Sequence, residues 1–214
     1  GSNRFVWDLR YPGFQSFEGM VLYSSPNSGP KAMPGTYTVR LTYNGSSQEV
    51  PLEVLKDPRL PNTDSDYREQ FEFLSAVRDE VSRANGAVAK IRRLHADLDY
   101  LKEKSGDNPE LTARIEKFET ELSTIENNIH MTKNQSRQDP LNYGIRINNR
   151  LAFLMADSQR GDYPPTDQSR EFFREVRAEL NTELQALDRL VDGEIQGINE
   201  VVKDGQVRLL EWED

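Results

Sequence analysis

The spacing of apolar residues changes at Asp57-Pro58, and no other property of the chain constrains its fold as strongly. Before that point apolar and polar residues alternate in short runs broken by glycine and proline; after it, apolar residues recur every three or four positions as far as residue 205. A period of two belongs to strands and one of 3.6 to helices. The expected class is therefore α+β in several parts: a β module over 1–57, a linker over 58–66, a bundle of helices over 67–205 and a tail over 206–214.

In the first module, Phe5, Trp7 and Leu9 fall on one side of an extended Arg4–Arg10 run, and Val6, Asp8 and Arg10 on the other. A shorter apolar run, Met20–Tyr23, comes next. Pro34-Gly35 then turns the chain into a strand in which Tyr37, Val39, Leu41 and Tyr43 alternate with Thr38, Arg40 and Thr42. Asn44-Gly45 is a strong two-residue hairpin signal, because both positions tolerate positive φ, and Val50, Leu52 and Val54 carry the returning strand. Four strands in so short a stretch predict a partial immunoglobulin-like sandwich, since the full fold takes about seven strands. Its open edge then needs cover from earlier strands, from the helices or from another copy. The strict alternation assigns Trp7 and the strand tyrosines to a core rather than to a sugar-stacking platform, leaving Tyr11 and Tyr23 near strand ends as candidate interaction residues.

The second module predicts four amphipathic helices with short connections. Leu74, Val77, Val81, Ala84, Val88, Ile91, His95 and Leu98 form the stripe of a first helix of roughly 60 Å from Asp66 to Lys104, ended by Gly106. Asp107-Asn108-Pro109 and Asp139-Pro140 read as helix starts, a capping side chain followed by proline. The second helix runs through Leu111, Ile115, Phe118, Leu122, Ile125 and Ile129, and the third through Leu141, Ile145, Ile147, Leu151 and Leu154 to Gly161. Pro164-Pro165-Thr166 opens the last, from Phe173 through Val202, with Gly205 as terminator. The simplest arrangement is an antiparallel up-down four-helix bundle.

Charge and composition narrow the function. Of the net charge of −9, none falls on residues 1–57, which carry five basic and five acidic side chains; the helical part holds it all. An acidic chain with a pI near 4.9 lacks the basic footprint a nucleic-acid binder needs. With no cysteine there is no disulfide, thiolate metal site or cysteine nucleophile, and no apolar run is long enough to span a bilayer. Neither histidine, His95 in the first helical stripe or His130 near the end of the second helix, has metal-ligand spacing. His130 is placed where a cation suits the helix dipole. The carboxylates of Asp97 and Asp99 or of Glu119 and Glu121 read as solvated helix faces rather than a glycosidase pair. No catalytic, cofactor-binding or metal-binding constellation is expected. Within Leu141–Arg150, the least generic helical stretch, Asn148, Asn149 and Arg150 are candidate interaction residues, with hydrogen bonding between helices as the favoured role of the asparagines.

Three phrases carry a resemblance: Asn3–Pro12, Gly29–Leu41 and Leu141–Asn149. Together they resemble the C-terminal region of bacterial sortilin-type, BNR-repeat β-propeller proteins that bear a glycosyl hydrolase label, and the first part is similar to the immunoglobulin-like domain of flagellar hook-capping proteins. The resemblance implies an exported, extracytoplasmic protein of a Gram-negative cell, with upstream residues completing the sandwich. In that family the hydrolase label belongs to the propeller, whose Asp-box repeats are absent here, so no catalytic residue carries over. The expected role is a non-catalytic accessory region that stabilises its parent or docks it to a protein partner, the upstream propeller or a second copy. The rival role is a carbohydrate-binding appendage.

Overall fold

The computed structural model describes residues 2–104, 108–202 and 210. It is mixed α+β: a two-stranded antiparallel sheet followed by five helices. Strand β1 (Gly35–Tyr43) pairs with β2 (Ser46–Val54), with Val39 opposite Val50 and Tyr37 opposite Leu52. Asn44 and Gly45 have φ of 46° and 79°, the doubly positive turn whose twist matches that of the strands. The helices are α1 (Asp64–Lys104), α2 (Pro109–Ile129), α3 (Pro140–Tyr143), α4 (Ile147–Ser158) and α5 (Asp167–Val201).

Local chemistry sets the helix ends. Thr63 and Asp66 cap α1 reciprocally: the Thr63 N–H donates to the Asp66 carboxylate at 2.7 Å, and the Asp66 N–H donates to the Thr63 hydroxyl at 3.3 Å. Helix α1 thus begins inside the stretch 58–66 expected as linker. Asn108 and Thr166 cap α2 and α5, accepting from the Leu111 and Ser169 N–H groups. The single helix expected after Asp139-Pro140 is instead two, because Gly144 adopts φ 79° and ends α3 after one turn. Leu141 and Ile145, expected in its stripe, are exposed as a result. The stops expected at Gly106 and Gly205 lie outside the described residues.

Helix α1 packs against α2 and α4, and α5 packs against the same two from the other side. Between them lie Val81, Val88, Ile91 and Leu98 of α1, Ile115, Phe118 and Leu122 of α2, Leu151 and Met155 of α4, and Val176, Leu180 and Leu187 of α5. His95 is half-buried at the edge of this core, within 3.4 Å of the Ser123 hydroxyl, while Leu94 and Leu98 point inward.

The N-terminal third differs most from expectation. Neither Arg4–Arg10 nor Met20–Tyr23 is a strand; one isolated bridge, Arg10 with Lys31, stands in for the expected pairing. The partial sandwich therefore reduces, among the described residues, to a single hairpin. Residues 10–28 run as an irregular strap over α1 and α4, burying Phe14 and packing Phe17, Met20 and Leu22 against the helical core. These residues have no regular period because they dock on helices rather than on a sheet. The strap's two ends cross at Gly29, where a Cβ would lie 1.9 Å from the Tyr11 carbonyl oxygen, so only glycine allows the crossing.

The hairpin itself has no second layer. Leu41 is 68% exposed, whereas Leu98 is fully buried. We expect Leu98→Ala to lower stability in urea unfolding by about 2–5 kcal/mol and Leu41→Ala by less than about 0.5 kcal/mol; equal losses would mean that the hairpin shares the core.

Candidate functional site

Three of the five residues singled out from the sequence belong to the fastening of the strap. Asn149 is buried, and its side chain treats the strap as a neighbouring strand: its Oδ1 accepts from the Tyr23 N–H at 2.8 Å and its Nδ2 donates to the Tyr23 carbonyl at 3.1 Å. Beside it, the Asn148 Nδ2 donates to Asn85 Oδ1 at 3.0 Å and lies 3.1 Å from His130 Nδ1. Asn85 in turn donates to the Gln15 carbonyl. One polar chain therefore joins α1, α2, α4 and the strap. Arg150 lies outside it, hydrogen-bonded twice to Glu179 of α5 and stacked near Phe172. Tyr11 packs edge-on against Phe71 with 4.9 Å between ring centroids. Asn148, Asn149 and Tyr23 are thus brought together; Tyr11 and Arg150 are elsewhere.

His130 ends α2 in the middle of this cluster, 2% exposed, its ring edge-on to Phe17 at 5.0 Å. Burial, reinforced by the nearby Arg92 guanidinium, lowers its pKa from 6.5 to about 4. The cation expected at this helix end is therefore a neutral ring at pH 7, because desolvation outweighs the helix dipole. Arg92 is itself held by Glu126 at 2.8 Å and by the Glu18 carbonyl, and covers the other face of Phe17.

A different surface is free to meet another molecule. Side chains directly opposite in an antiparallel pair share a face, so Tyr37, Val39, Leu41, Tyr43, Val50 and Leu52 form one apolar face. Val39, Leu41, Tyr43 and Val50 are 46%, 68%, 73% and 58% exposed. Trp7 closes the base of this face, its ring 5.4 Å from that of Tyr37 and its indole N–H held by the Arg10 carbonyl. The alternation that predicted a buried strand face is real, but among the described residues nothing lies over it. The uncovered apolar area is roughly 500 Å², at the upper end of what a soluble monomer exposes and in the range that marks interaction sites.

At the hairpin's base a cleft of about 290 Å³ is lined by Leu9, Met33, Val54, Phe71 and Leu74, with the Lys31–Asp162 ion pair at 2.8 Å among its walls. Tyr67 adds a hydroxyl that is buried without a partner, and this burial raises its pKa. Among the described residues no three histidines or carboxylates converge as metal ligands, and no helix is long and apolar enough to cross a membrane. No family model, curated protein or solved structure matches this chain.

The geometry generates two expectations. Because His130 titrates lower folded than unfolded, its contribution is complete above about pH 6.5 and is lost as the pH falls towards 4, by about 2–3 kcal/mol in all. Urea midpoints between pH 7 and 4.5 should therefore fall more steeply for the native protein than for His130→Gln; parallel profiles would refute the assignment. Asn149→Ala should cost about 1–3 kcal/mol by leaving both Tyr23 backbone groups unpaired, and hydrogen exchange at the Tyr23 amide should speed up while that of α2 does not.

Proposed function

We propose that this chain is a non-catalytic docking region whose contact surface is the apolar face of the hairpin. The carrying observation is that face itself: Val39, Leu41, Tyr43, Val50 and Leu52 lie together and uncovered, beside a helical body that has buried its own apolar stripes. A free two-stranded hairpin is marginal in water, and it gains most from a layer that covers its apolar side. On this reading α1, α2, α4 and α5 act as an antiparallel up-down bundle, and the hairpin is one part of an immunoglobulin-like sandwich completed by contact with other polypeptide. The resemblance to the C-terminal region of exported sortilin-type propeller proteins supports the same role, an accessory region that stabilises or docks a larger extracytoplasmic protein. Val39, Leu41, Val50 and Leu52 form a continuous aliphatic patch, with Ser46 and Gln48 sharing the face only towards the turn, which favours protein over carbohydrate as the occupant.

The test uses the dye 8-anilinonaphthalene-1-sulfonate and a glycan array. Saturable dye binding should be seen with the native chain and fall at least about fivefold in the Leu41→Asp, Val50→Asp double variant, with helical circular dichroism unchanged. Absence of dye binding by the native chain would overturn the reading. So would saturable glycan binding that Tyr43→Ala removes, which would establish the carbohydrate role instead.

A further inference from the structure

The two edges of the hairpin are not equivalent. A two-residue turn makes its flanking pair, Tyr43 with Ser46, a hydrogen-bonded pair, and such pairs alternate with non-bonded ones along the ladder. The backbone groups of Thr36, Thr38, Arg40 and Thr42 therefore point outward from β1, and those of Ser47, Glu49, Pro51 and Glu53 outward from β2. The β2 edge lacks a donor at Pro51 and carries a glutamate on each side of it, features that block strand pairing. The β1 edge keeps every donor and acceptor, bears three threonines, and its single charge is Arg40.

We propose that β1 is the receiving edge of this docking region, and that its occupant is an extended strand of another polypeptide segment that alternates apolar with neutral or acidic residues. The inference rests on the docking role proposed above and adds to it the edge, the pairing and the chemistry. Charge selects the occupant: the single charge on the β1 edge is Arg40, paired with Glu49 at 2.6 Å yet largely exposed, so an acidic residue opposite β1 shares that cation, while one beside β2 meets Glu49 and Glu53. Area argues against a second copy of this chain. Pairing β1 with its own counterpart covers roughly 300–400 Å² on each, about half the 800 Å² per partner of a stable complex, and leaves both apolar faces bare. A strand of a partner protein satisfies the edge through its backbone, and the rest of that partner supplies the layer over Val39 and Leu41 that an in-plane strand does not.

The experiment takes the full chain and the synthetic peptide Thr-Val-Thr-Val-Glu-Val-Thr-Val-Thr as probe, followed by amide exchange and residue-resolved titration. Binding at sub-millimolar peptide should slow exchange at least about tenfold at the Thr36, Thr38, Arg40 and Thr42 amides and leave Ser47, Glu49 and Glu53 unchanged. Thr38→Pro, which removes one outward donor without touching the β1–β2 ladder, should weaken binding at least tenfold, whereas Pro51→Thr should not. Protection on the β2 side, or no binding at millimolar peptide, overturns the inference. Loss of binding in Leu41→Asp but not in Thr38→Pro also overturns it while leaving the docking face in place; failure of the dye test removes both. Light scattering that shows a dimer abolished by Thr38→Pro would make the occupant a second copy and overturn the assignment to a partner strand.

Discussion

The two adjacent asparagines that open α4 fix, atom to atom, the positions of a strap and helices that apolar contacts alone hold without a set register. Asn149 supplies the Tyr23 backbone with both partners that a neighbouring strand would have supplied, and Asn148 links α1 to α2 through Asn85 and His130. Each satisfied hydrogen bond contributes only about 1 kcal/mol, but each one removed leaves a group stranded in a dry interior at a cost of about 1–3 kcal/mol. That asymmetry makes the strap's position specific. Apolar contacts at Phe14 and Phe17 would tolerate small slides along the helices; the clamp on Tyr23 does not.

From the strap the constraint passes to the hairpin. The crossing at Gly29, secured by hydrogen bonds from the Tyr11 N–H to the Pro30 carbonyl and from the Ala32 N–H to the Leu9 carbonyl, returns the chain to the start of α1. The hairpin leaves from that point and comes back to it, entering at Gly35 and rejoining through residues 55–63. Its base borders the cleft lined by Phe71 and Leu74 while its apolar face stays in water. Burial divides the molecule in two: the helical body packs a dense apolar core, and the ribbon leaves its apolar side chains in water.

Much of this architecture was legible in the residues because local rules decide it. The turn at Asn44-Gly45, the alternation of β1 and β2, the proline start of α2 and the threonine cap of α5 depend on neighbours within four positions. What was not legible depends on distant partners. Phe14, Phe17, Met20 and Leu22 have no period because each meets a different part of α1, α2 or α4. The division at Gly144 turned on one residue's φ in a segment whose apolar spacing continued through it. His130 was read as a cation suited to the helix dipole, and is instead a buried neutral ring because Phe17, more than a hundred positions earlier, closes over it. Asn148 links helices as its position suggested, to Asn85 of α1 and His130 at the end of α2, whereas Asn149 reaches the strap at Tyr23, which helical spacing could not reveal. For the hairpin, the pattern predicted an apolar face, and the expected core packing of Tyr37 and Tyr43 is what the exposed face does not supply.

Helix α1 gives the surface a mechanical setting. It runs unbroken for 41 residues, about 60 Å at 1.5 Å per residue, and its first turns line the cleft at the hairpin's base while its last turns stand at the opposite end. A partner seated on β1, as proposed, would meet the chain near one end of that rod, and helix length would set how far it lies from anything bound at the other.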